Sequence, residues 1–178
     1  MATVISIKVT EEQLKRASEL YSFGALKNSI TKGKSNIYGA IGEVIVHDYL
    51  SRNGITVKWA QTADHDLKYL VEESNGAGAN HFWMKADVKT KRTTVPPLPS
   101  FSCSIPAHNT TQMCDEYIFV RVHEDKTHGW ILGRMYKTDY FKKAKFFRVG
   151  QKDPKFPAFK FKGSCYNLDI GKLNEIKC

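Results

Sequence analysis

Tyr117-Ile118-Phe119-Val120 constrains the fold most, because four consecutive large apolar residues suit a strand covered on both faces rather than one half in water. A strand of that kind belongs inside a layered sheet. The segments 116–123 and 129–135 therefore read as two strands on the far side of a sheet whose near side comes from earlier in the chain. That near side is legible as strands over 56–60, 67–72 and 81–90. The last two are separated by Ser74-Asn75-Gly76-Ala77-Gly78, whose small residues supply turn chemistry for a hairpin.

Helical periodicity flanks these strands. Thr10 followed by Glu11, Glu12 and Gln13 reads as a capping box, and Leu14, Ala17 and Tyr21 then share one face, which predicts a helix over 10–22. Ile37, Ile41, Val44, Ile45 and Tyr49 predict a second helix from Asn36 to about Asn53, ended by Gly54. Proline gives no ladder hydrogen bond, so Val95-Pro96-Pro97-Leu98-Pro99 starts a loop expected to reach about Met113. A short helix over 140–145, a basic aromatic stretch containing Phe146, Phe147, Phe156, Phe159 and Phe161, and a turn near Leu173 complete the reading. The expected fold class is α/β: a central mixed β-sheet flanked by helices. One domain is expected over 1–178, with its core at about 37–136 and a basic aromatic extension at about 137–178.

A chain of 178 residues can bury a core large enough to fold without staples, and 42% hydrophobic residues argue against disorder. The 27 Lys and Arg against 18 Asp and Glu give a net charge of +9, which favours a polyanionic partner, although solvated lysines produce the same excess. No stretch approaches the ~20 apolar residues of a membrane span, and the amino terminus lacks a signal-peptide pattern, so a cytoplasmic location without membrane contact is expected. Cys103, Cys114, Cys165 and Cys178 form no C-x-x-C pair and read as reduced thiols. Cys103, His108 and Cys114 are close enough in sequence to suggest zinc, but they match no paired-knuckle spacing and packing roles are favoured. In the basic stretch 24–36, Lys32 and Lys34 either touch phosphates or are simply solvated.

The chemistry concentrates on the strand over 81–90. Alternate side chains of a strand share a face, so Asp87 and Lys89 project together while Val88 faces the other way. Asp66 sits just before the partner strand, where its carboxylate can converge with that of Asp87. Two aspartates with the backbone carbonyl of Val88 form an oxygen-donor site suited to Mg²⁺. A metal there polarises a scissile phosphate and lowers the pKa of bound water, with Lys89 positioning or deprotonating that water.

These residues resemble the PD-(D/E)xK nucleases with the restriction-endonuclease-like fold, a superfamily with phage members, over the region 38–135. Tyr38-Gly39-Ala40-Ile41-Gly42-Glu43 is similar to the family's first core helix, which implies that Glu43 assists metal binding. Asp66 in Asp64-His65-Asp66-Leu67 resembles the first-strand aspartate, with Asp64 as the alternative under a different register, and Asp87-Val88-Lys89 resembles the (D/E)-x-K signature. Lys91 and Arg92 look like the basic residues that such enzymes turn toward substrate phosphate. The resemblance implies a metal-dependent deoxyribonuclease using Mg²⁺, with Mn²⁺ substituting, and favours an endonuclease over an exonuclease. Its DNA partner would meet the catalytic residues Glu43, Asp66, Asp87 and Lys89, and the Val88 carbonyl would join the carboxylates on the metal.

Two alternatives stand beside that reading. One is a non-catalytic nucleic-acid-binding protein on the same fold, and the other a junction-resolving or homing-type endonuclease, for which a symmetric homodimer or tetramer is expected. His47 and His65 lie near the proposed ligands and are candidates for general base or phosphate contact, although surface histidines without such roles are commoner. The Phe and Lys interleaving over 141–162 suits either base stacking or a closing flap whose phenylalanines fill core.

Overall fold

The computed structural model describes residues 3–24, 36–60, 62–74 and 79–176. A short strand β1 (Ile5–Lys8) leads into helices α1 (Glu11–Gly24) and α2 (Asn36–Arg52), followed by strands β2 (Val57–Trp59), β3 (Leu67–Ser74) and β4 (Ala79–Thr93). Then come β5 (Ser102–Pro106), β6 (Glu116–His123), β7 (His128–Tyr136), helix α3 (Lys137–Lys143), β8 (Lys145–Phe147) and β9 (Cys165–Asp169). Single 3₁₀ turns occupy Ala107–Thr111 and Ile170–Lys172. Among the described residues no helix is long and apolar enough to cross a membrane.

The start of α1 is capped reciprocally: Gln13 N–H donates to Thr10 Oγ1 at 3.2 Å while Thr10 N–H donates to Gln13 Oε1 at 3.1 Å. Helix α2 is apolar on more than one side, with Ala40, Ile41, Val44, Ile45, Val46 and Leu50 buried, because the sheet covers one flank and α1 another. Asp48 ties the two helices together, accepting from Gln13 Nε2 at 2.8 Å and pairing with Arg16 Nη1 at 2.8 Å. Gly54 ends α2 at a φ of +79°, a conformation that costs glycine little.

The main sheet has six strands in the order β1-β7-β6-β4-β3-β2 and is mixed, with β4 and β6 parallel and every other pair antiparallel. The fold is thus α/β with a large mixed sheet. Strand β4 changes partner along its length: Ala79 to Ala86 pair with β3, whereas Ala86 to Thr93 pair with β6. Helices α1 and α2 cover one face, and the core between them and the sheet holds Leu67, Val88, Ile118, Val120 and Ile131.

The opposite face is covered differently from expectation. A second sheet, ordered β5-β9-β8, packs with α3 over Tyr117, Phe119, Leu132 and Met135. The segment 95–113, expected as a loop, contains β5 and a 3₁₀ turn, because β9 supplies a ladder partner from 59 to 67 residues away. The residues after 137 accordingly complete the core. Strand β1 was not foreseen, since four residues carry too little periodicity; it pairs outside β7 and makes β7 an inner strand.

Candidate functional site

The site is built where β4 changes partner. Strand β3 ends at Leu67 opposite Ala86, so beyond that point the β3-facing edge of β4 loses its ladder. The next donor on that edge, the N–H of Val88, is taken by the Asp66 carboxylate at 2.7 Å. Because the N–H and C=O of one strand residue point the same way, the Val88 carbonyl faces that edge too. Asp66 is aimed there by the turn before it, where Thr62 Oγ1 accepts the N–H groups of Asp64 and His65 and Asp66 N–H donates to Ala86 O.

Asp87, buried, sits one residue past the change of partner. Its Oδ2 lies 2.6 Å from Lys89 Nζ, an ion pair that is largely shielded from solvent. Charge attraction holds this contact. Gln112 ties the pair from the other side: its Nε2 donates to Asp87 Oδ1 at 3.1 Å and its Oε1 accepts from Lys89 Nζ at 3.1 Å. The Lys137 ammonium donates to the Gln112 carbonyl, which links the start of α3 to the same corner.

Glu43 approaches from α2, on the opposite face of the sheet from Lys89. The approach depends on Gly42, where an added Cβ would meet Thr90 Oγ1 at 2.0 Å. Burial, then the carboxylates of Asp66 and Asp87, push the Glu43 carboxyl up to about 9. Burial and Asp87 push Asp66 up to about 7, with the Val88 N–H and Lys89 opposing. The three carboxylates, with Lys89 as the ammonium among them, leave two negative charges uncompensated when all are ionised.

Such a deficit suits a divalent cation. Among the described residues no group of three or more His, Cys, Asp or Glu is arranged to hold a metal ion, so the carboxylates do not form a closed cage. Mg²⁺ takes one or two carboxylates and keeps several waters. Asp66, the Asp87 carboxylate and the Val88 carbonyl fit that demand.

Other expected residues fall elsewhere. Asp64 accepts the N–H of Met113, the residue after Gln112, at 3.1 Å. His47 stacks on Trp59 with ring centroids 4.5 Å apart and faces Asp48. His65 is buried in the Thr62 turn, its pKa lowered first by burial and then by Lys68 and Lys85. Lys91 shares the face of Asp87 and Lys89, where burial and the Arg121 guanidinium lower its pKa, whereas Arg92 alternates to the other face. Lys32 and Lys34 lie outside the described residues. Cys103 and Cys114 are buried thiols held up by desolvation to about 12 and about 11, while His108 is exposed.

Gln112 and Lys137 were missed by the sequence reading. Gln112 lies in an aperiodic segment and Lys137 at the start of a helix, so neither carries a local signal. Compared with known proteins, the chain matches no family profile and no curated sequence.

Proposed function

We propose that the protein is a Mg²⁺-dependent nuclease that hydrolyses internal phosphodiester bonds of DNA, built on a restriction-endonuclease-like core. The observation that carries this reading is the convergence of Asp66 and Asp87 at the β4 change of partner, with Asp66 on the Val88 N–H and the buried Asp87 paired with Lys89. Mg²⁺ held there supplies Lewis-acid polarisation of the phosphate and a bound water of lowered pKa. Asp66 and Asp87 bind and orient the ion together with the Val88 carbonyl, and Glu43 adds charge from the helix side. Lys89, steadied by Asp87 and Gln112, orients the attacking water and screens charge on the phosphate.

The test is nicking of supercoiled plasmid in Mg²⁺ by the parent and by Asp87→Asn and Lys89→Ala. Each substitution is expected to lower the rate at least ~100-fold, the scale of one charge-stabilising group. Equal cutting by parent and Asp87→Asn would sink the assignment. Salt-sensitive binding without cutting of duplex, single-stranded and junction substrates by the parent would favour a non-catalytic binder.

A further inference from the structure

The second sheet and α3 cover the outer face of the main sheet around β6 and β7, and Gln112 covers β4 at Asp87 and Lys89. On the outer face of β2, β3 and β4 three lysines stand in register: Lys58 opposite Lys68, and Lys68 opposite Lys85. Directly paired residues point to the same side, and the alternate residues Trp59, Leu67 and Ala86 face α2. Like charges placed directly opposite destabilise a sheet. Among the described residues none of these ammonium groups has an ion-pair partner, and Asp115 accepts the main-chain N–H of Lys85 rather than its side chain. The Lys58 ammonium lies 4.7 Å from the ring centroid of Trp83, an exposed aromatic opposite Leu70 on this face.

The row leads to the candidate centre. Lys85 lies two residues before Asp87 on the same face of β4, and Lys68 lies two residues after Asp66. Neighbouring strands are spaced by about 4.8 Å, so the lysine stems form a closely spaced track from the β2 edge to the carboxylates.

We propose that this row is a binding track for a single-stranded nucleic-acid segment: Lys58, Lys68 and Lys85 hold consecutive backbone phosphates, Trp83 stacks against a base, and the strand is delivered to Asp66 and Asp87. A positive track beside an exposed aromatic is the arrangement that binds single strands. The repulsion among the lysines is relieved when phosphates lie between them. The proposal rests on the nuclease reading only for where the strand is delivered.

Binding of fluorescein-labelled oligo-dT to the full chain in EDTA, followed by anisotropy across a salt series, separates this from cleavage. Changing Lys58, Lys68 and Lys85 together to Gln is expected to reduce the slope of log affinity against log salt by about 2. A control changing exposed Lys142, Lys145 and Lys172 to Gln is expected to leave it unchanged. Trp83→Ala is expected to weaken binding roughly tenfold with the slope retained. Thermal melts of each variant establish that it is folded, and Lys68→Gln alone is expected to melt no lower than the parent. An unchanged slope in the triple variant, an equal fall in the control, or tighter binding of duplex than of oligo-dT would overturn the proposal. Track-dependent binding by a parent that cuts nothing would reject the nuclease reading and leave the track standing, whereas cutting with track-independent binding would do the reverse.

Discussion

Burial and neighbouring carboxylates oppose the ionisation of Glu43 and Asp66. Each has a folded pKa above its ordinary carboxylate value of about 4, so folding takes up protons there. Their contribution to stability is therefore greatest below about pH 4 and is lost as pH rises through about 7 for Asp66 and about 9 for Glu43. Glu43→Gln removes the titrating group while keeping the shape. It is expected to raise stability at pH 8 by on the order of 1 kcal/mol, with little change at pH 4, in urea titrations at the two values. A loss of stability at pH 8 would mean that Glu43 is a structural partner instead of a charge held for a ligand.

At the scale of elements, the site depends on how closely α2 lies against β4. Gly42 packs onto Thr90, whose Oγ1 is buried without a hydrogen-bond partner. Gly42→Ala is expected to cost about 1–3 kcal/mol through overpacking, and Thr90→Ala to recover a large part of it. A double-mutant cycle by thermal unfolding checks this, and additive costs would show that the helix is not limited by that contact. The same closeness brings Glu43 to the sheet, so Gly42→Ala should lower Mg²⁺-dependent cutting beyond its effect on the fraction folded. The capping box, α2, the hairpin and both later strands were legible in sequence because their signals lie within a few residues: Thr10 with Gln13, Ile41 with Val44 and Ile45, and the alternation along β4.

The whole molecule is a mixed sheet with helices on one side and a second sheet on part of the other. Leu168 on β9 is buried against Cys103, Tyr117 and Tyr140, which makes the C-terminal stretch part of the core rather than an appendage. Leu168→Ala is expected to lose about 2–5 kcal/mol in urea unfolding, and a loss below about 1 kcal/mol would contradict that placement. The interleaved aromatics after 141 divide accordingly: Phe161 is buried on Phe147 with centroids 4.6 Å apart, whereas Phe146, Phe156 and Phe159 are exposed. No spacing in the sequence separates these two fates, because each depends on which surface folds over the residue.

By itself the sequence determined the local elements and the face on which Asp87 and Lys89 stand, since periods of 2 and 3.6 residues are properties of the chain alone. It also brought Asp66 close to Asp87 through a hairpin with a short connection. Only the tertiary structure decided the change of partner at Ala86, the hydrogen bond from the Val88 N–H to Asp66, the contact of Gln112 with both Asp87 and Lys89, and the register of Lys58, Lys68 and Lys85. Those features arise where strands and loops distant in sequence meet, and the pairing energies that select them belong to neighbours no local pattern contains.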